Sequence, residues 1–193
     1  MTDPEHLTPG ARRILEVASD LFYRRGIHAV GVDTIAAESG VTKRTLYDRF
    51  GSKDRLVVTY LAARDRRWRE LIATRAEATD PRPVAQALVP FDVLPEWLTP
   101  GGRGCSFLNA FAELPDPDHP GHQMIVAEKT WLRSFFHDHL ARAGVPSPEV
   151  LAAQMTCLHE GAVISCSVLG DTTAPATARQ AAADLLEGRA DPG

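Results

Sequence analysis

The chain is short of cysteine, lysine and aromatic residues, and each shortage excludes something. Three cysteines stand among 193 residues, and no two of them have zinc-finger spacing. An odd, small number with no signal peptide argues against a disulfide framework and for a reducing cytoplasm. No apolar run approaches the roughly 18 residues that a membrane span needs, so no membrane partner is expected. There is no Gly-x-Ser-x-Gly elbow, no glycine-rich phosphate loop and no segment with strand alternation, which removes the commonest hydrolase and nucleotide-binding designs. Low-complexity blocks and internal repeats are also missing. Only three lysines face eighteen arginines, and the net charge is -4. The whole chain is therefore no polycation, and a nucleic-acid-binding role requires positive charge gathered locally.

Such a gathering exists. From Gly40 to Arg55 there are five basic residues, Lys43, Arg44, Arg49, Lys53 and Arg55, against two acids, Asp48 and Asp54. The stretch Val32 to Phe50 reads as two short helices and a tight turn. Asp33 and Thr34 are placed to cap the first helix, which is expected over Thr34 to Ser39. Gly40 follows, where a left-handed residue is cheapest. Thr42 is placed to cap the second helix. Leu46 and Phe50, four apart, share its inner face. Lys43, Arg44, Thr45 and Tyr47 are left at its leading edge, with Arg49 one turn on. Arginine and lysine donate to guanine, threonine packs on thymine methyls and tyrosine reaches phosphate. A helix offering its first turn in this way suits the DNA major groove. Ser52 then caps a further helix with Lys53 in its first turn, a phosphate clamp.

Thr45-Leu46-Tyr47, Phe50, Ser52-Lys53-Asp54 and Leu56 resemble the signature of the TetR/AcrR family of transcriptional regulators. Ala18-x-x-Leu21-Phe22, Gly26, Thr34-Ile35-Ala36 and Gly40-Val41 agree in order and spacing, so the resemblance covers roughly residues 10 to 60. One departure is Asp48-Arg49, where the family often carries a basic or aromatic residue followed by histidine. Asp48 puts a negative charge beside the DNA face, and Arg49 takes over the phosphate contact. The resemblance implies an all-α protein. A three-helix helix-turn-helix domain is expected over residues 1–52, and a larger helical ligand-binding and dimerisation domain over 53–193. The DNA-binding residues carried over are Thr34, Thr42, Lys43, Arg44, Thr45, Tyr47, Arg49 and Lys53.

The remaining segments read as helices. Thr8-Pro9 opens one, with Thr8 as cap and Pro9 at the first helical position. A long helix runs from Lys53 to about Ala78 and stops before Thr79-Asp80-Pro81. Another spans Val84 to Leu98, interrupted at Pro90 and Pro95, and a glycine loop covers Thr99 to Gly104. Helices are expected at Cys105 to Leu114, Gly121 to Ala143, about Pro148 to Leu169, and about Pro175 to Leu186. The last two are rich in small residues. In the resembling family such helices pair with their copies in a second subunit, which implies a homodimer reading an inverted-repeat operator in double-stranded DNA. The middle helices should enclose a mostly apolar small-molecule effector. Phe107, Phe111, Trp131, Phe135, Met155, Leu158 and His159 are its candidate lining, with Asn109 and Cys105 as polar contacts. The plainer reading of these aromatics and Met155 is ordinary core.

The function that results is a cytoplasmic, ligand-responsive repressor with no cofactor and no catalytic site. An alternative is a metal- or redox-sensing regulator of the same fold, using Glu113, His119 and His122, or Cys105. His119-x-x-His122 encloses Pro120 and Gly121, which breaks a regular metal-binding face. Cys105 or Ser106 with a histidine would be needed for nucleophilic catalysis, and nothing positions such a pair.

Overall fold

The computed structural model describes residues 7–98 and 102–187. The expectations for the first six residues and for Thr99, Pro100 and Gly101 lie outside them. Every regular element among the described residues is α-helical: α1 (Pro9–Arg25), α2 (Val32–Ser39), α3 (Lys43–Phe50), α4 (Lys53–Glu77), α5 (Pro83–Ala87), α6 (Val89–Asp92), α7 (Leu94–Trp97), α8 (Ser106–Glu113), α9 (Pro120–Arg142), α10 (Pro148–Leu169) and α11 (Ala174–Leu186). They form two compact units. One comprises the described residues up to Arg67 together with Ser106–Ala127. The other comprises the described residues of Trp68–Cys105 and those from Glu128 onward. Helices α4 and α9 are each divided between the two.

In the N-terminal unit, α1 starts where Thr8 and Pro9 predict. Thr8 Oγ1 accepts from Ala11 N at 3.4 Å, and Gly26 ends the helix at φ 93°. Helix α1 packs against α2 and α3, and its inner stripe (Ile14, Ala18, Leu21 and Phe22) is buried, as are Ile35, Leu46 and Phe50 of those two helices. Helix α2 begins earlier than expected. Gly31 is its N-cap and makes no side-chain cap bond, so Asp33 and Thr34 lie in the first turn rather than ahead of it.

The C-terminal unit packs Trp68 and Ile72 of α4 with Phe91, Leu94, Leu132, Phe136 and Met155 into one apolar core. The segment read as one interrupted helix over 84–98 is three short helices, α5 to α7. Pro83, Pro90 and Pro95 each stand in the first turn of one of them, where a missing N–H costs nothing. Helices α10 and α11 pack along each other. Ser147, just before α10, has φ 53° and its side chain makes no cap bond, so Pro148 opens the helix without one. No helix among the described residues is long and apolar enough to cross a membrane.

Candidate nucleic-acid interface

Helix α3 is fixed at both ends and underneath. Thr42 Oγ1 accepts from Thr45 N at 3.1 Å, the cap bond that a threonine at this place supplies. Gly40, at φ 70°, turns the chain between α2 and α3 in the left-handed region where glycine alone pays no Cβ penalty. Leu46 and Phe50 are buried. The opposite surface of the same helix exposes Lys43, Arg44, Tyr47, Asp48 and Arg49, with Thr45 half-buried. Eight residues thus present one anchored and one wet face.

Electrostatics modify the leading edge. Lys43 Nζ lies 3.0 Å from Asp33 Oδ1, so the first basic residue of α3 is paired back to α2. Arg44 Nε is 4.0 Å from Asp48 Oδ2, a loose pair one turn apart on a highly exposed side chain. The hydroxyls of Thr42 and Thr45 share a 2.9 Å hydrogen bond, which leaves the Thr45 methyl as its distinctive contact. Ser52 Oγ accepts from Arg55 N at 3.1 Å and so opens α4. Lys53 stands at the first position of α4, half-buried. Thr34 is half-buried in the first turn of α2.

A family profile, "Bacterial regulatory proteins, tetR family", matches residues 14–59, which span most of α1, all of α2 and α3, and the start of α4. The crystal structure of SCO4454, a TetR-family transcriptional regulator from Streptomyces coelicolor, is 34% identical to this chain, covers 93% of it and 95% of its own length, and superposes with a TM-score of 0.85. The chain belongs to the TetR family of transcriptional regulators. Among curated members, the HTH-type transcriptional regulator YjdC of Escherichia coli K12 is 34% identical over 83 residues, 43% of this chain and 44% of its own. The HTH-type transcriptional activator FasR of Mycolicibacterium smegmatis is 45% identical over 49 residues, 25% of this chain and 22% of its own. The matched stretch is thus less than half the length of either curated relative. Helix-turn-helix DNA binding and transcription regulation are accordingly the work of this TetR-family chain.

The nine residues expected around an effector fall in different surroundings. In the N-terminal unit Phe107 is buried, Asn109 half-buried, and Phe111 is 49% exposed with its ring 5.1 Å from that of His122. In the C-terminal unit Trp131 and Phe135 lie together, ring centroids 5.6 Å apart, and Met155 is fully buried in the core. His159 is boxed by Trp68, Phe91 and Phe136 at 5.8, 5.6 and 6.4 Å. Neither of its ring nitrogens has a hydrogen-bond partner among the described residues, and Glu160 Oε1 stands 3.7 Å from Nδ1. Burial holds this imidazole below its usual pKa, against the pull of the Glu160 carboxylate.

Beside it lies a polar cluster that composition did not reveal. Lys129 Nζ is 2.8 Å from Glu160 Oε1, 3.1 Å from Glu128 Oε2 and 3.4 Å from Cys105 Sγ. Burial opposes the charge on Lys129, but Cys105, Glu128 and Glu160 hold the ammonium above its ordinary range. Burial likewise raises Glu160, yet His159 and Lys129 outweigh it and bring this carboxyl down to about 2. Adjacent Glu128-Lys129 was the only local signal for the cluster, and it looks like any surface pair.

The residues of the metal-sensing alternative are turned to separate partners. Glu113 takes two backbone amides, His122 Nδ1 meets Leu114 O at 2.8 Å, and His119 Nε2 is 3.7 Å from Asp54. No three His, Cys, Asp or Glu side chains gather as a metal-holding group among the described residues. A groove of about 980 Å³ opens on the C-terminal unit between α9, α10 and α11. Val150, Ala153, Leu158 and Ala181 line it, with Arg133, Glu149 and Asp184 also at its walls. Of the expected effector contacts only Leu158 reaches it.

Proposed function

We propose that this TetR-family protein is a ligand-responsive repressor. It binds an inverted-repeat operator as a homodimer in the cytoplasm and is released by a small, mostly apolar molecule. One observation carries the reading: a capped, core-anchored α3 whose exposed edge holds Lys43, Arg44, Thr45 and Tyr47. On this reading Lys43 and Arg44 read base edges. Tyr47, Arg49, Thr34, Thr42 and Lys53 hold phosphates, Lys53 at the start of α4 where free amides add to its charge.

The groove along α10 and α11 supports the dimer. Apolar Val168 and Leu169 on α10 are 75% and 77% exposed, surface that a second copy would cover. Two-fold pairing would set the recognition helices about 34 Å apart, one turn of DNA. Because α4 belongs to both units, a ligand that prefers one packing of α4 in the C-terminal unit changes that spacing. A coupling of about 1–3 kcal/mol weakens DNA binding several-fold to a hundred-fold.

A gel shift on the region upstream of its own gene tests this. Tyr47→Ala and Lys53→Ala should weaken binding to all sequences alike, and Arg44→Ala should cost about 1–3 kcal/mol of discrimination at one base pair. A second reading, a thiol-sensing regulator of the same fold, draws on Lys129 Nζ at 3.4 Å from Cys105 Sγ. If it holds, alkylation of Cys105 followed by mass spectrometry will accompany loss of DNA binding, and Cys105→Ala will be resistant.

A further inference from the structure

Glu113 lies outside the stretch that the family profile matches, yet it is built into the DNA-binding unit. It is the last residue of α8, and its two carboxylate oxygens each take a backbone amide 85 or 86 residues earlier in the chain. Ile27 N donates to Oε1 at 2.9 Å and His28 N donates to Oε2 at 2.6 Å. The His28 ring adds Nδ1 at 3.3 Å from Oε2.

The position demands an explanation. A carboxylate at a helix C-terminus faces the negative end of the helix dipole and is disfavoured there. The two amides follow the end of α1 and donate to no backbone carbonyl among the described residues, so they too need an acceptor. Pairing them satisfies both sides with charge-assisted bonds, the stronger kind. Space has been cleared for it as well. Gly26 sits at φ 93°, and a Cβ there would come within 3.0 Å of Glu113 Oε1. Glu113 is itself held from below, since Ala110 and Leu114 on either side of it are buried and Leu114 O is engaged by His122.

The clasped loop connects α1 to α2. Ile27 and Val30 drop from it into the three-helix core, 5% and 1% exposed, and Gly31 at its end is the N-cap of α2. A helix-turn-helix of this size has a small core, and small cores fix helix geometry weakly. Recognition of bases requires placement to about 0.5 Å and 10–20°.

We propose that Glu113 is a positioning residue for DNA recognition: by clasping the Ile27 and His28 amides it fixes the start of α2, and through α2 the approach of α3 to the base edges. The proposal rests on the reading that α3 contacts DNA. It adds a contributor to sequence discrimination that the helix-turn-helix sequence itself does not contain.

The test uses the full chain and two labelled duplexes, one from the region upstream of its own gene and one of random sequence. Affinities are read by fluorescence anisotropy, amide exchange at Ile27 and His28 by NMR, and folding by circular dichroism. Glu113→Ala is expected to expose both amides, to lower upstream-duplex affinity about tenfold, and to leave random-duplex affinity within about twofold. Glu113→Gln, with one acceptor oxygen left, should fall between and covers the case in which the alanine variant folds poorly. His28→Ala, which keeps both amides, should bind nearly as the parent does. Exposed amides with undiminished upstream affinity would overturn the proposal. So would an equal loss on both duplexes together with a lowered melting temperature, since that marks a merely structural role. Failure of the parent protein to prefer the upstream duplex would instead defeat the reading beneath it, and that shows before any substitution is made.

Discussion

Lys43 Nζ sits against both carboxylate oxygens of Asp33, 3.0 Å from Oδ1 and 3.1 Å from Oδ2. On the proposed reading, α3 would meet DNA with its first basic side chain already engaged. Both partners are exposed, and such pairs contribute about 0–1 kcal/mol, so a phosphate or a guanine edge can take Lys43 away at little cost. If Lys43 contacts DNA as proposed, Asp33 would discount every DNA equally and leave a good base contact to make up the difference. Asp33→Asn should raise affinity for random DNA a few-fold and steepen the salt dependence by up to about one counterion. Anisotropy titrations across a salt series measure both; unchanged slope and affinity would show that the pair has no bearing on binding.

Leu46 is fully buried beneath the exposed edge of α3. Its replacement by alanine removes a core side chain from a small three-helix unit and should cost about 2–5 kcal/mol. Thermal unfolding followed by circular dichroism should register this in the N-terminal unit, with DNA binding lost along with it. Thr42→Ala removes only the cap bond and should cost about 1 kcal/mol.

Cys157 is exposed in the groove between α9, α10 and α11. Cys157→Glu leaves the single chain's core untouched but would bury a charge if a second copy covers this face. Analytical ultracentrifugation should then find monomers where the parent protein is dimeric. A monomeric parent, or a dimer indifferent to the charge, would place the interface elsewhere.

Acid should weaken the C-terminal unit in two stages. His159 is held below its ordinary value of 6.5, so the unfolded chain takes up a proton there first, and stability falls as pH drops below about 6.5. Glu160 is depressed from 4.5 to about 2, so its contribution is full above 4.5 and is lost as pH falls from there towards 2. Urea denaturation between pH 8 and 3 should show both stages. Glu160→Gln should flatten the lower one, and Lys129→Ala should lower stability at neutral pH by removing the cation 2.8 Å from the Glu160 carboxylate.

The helix-turn-helix was legible in the sequence because its determinants are local. Thr8, Thr42 and Ser52 cap within three residues of themselves, Gly40 turns the chain where it stands, and Leu46 with Phe50 declares an inner face by spacing alone. Helix α2 was misplaced by two residues because Asp33 and Thr34 look like better caps than Gly31. Distant pairings left no local trace. Nothing near Glu113 names Ile27 or His28, and nothing near Lys129 announces Glu160 or Cys105. Aromatic spacing marked Trp131 and Phe135 but could not separate a core residue such as Met155 from the lining of a cavity, since both demand the same apolar surface.

The most direct test of the central claim is a footprint of the purified protein on the DNA upstream of its own gene. Two protected half-sites of inverted sequence, about one helical turn apart, with protection lost in Arg44→Ala, are the predicted result. Protection without two-fold symmetry, or protection indifferent to Arg44, would contradict it.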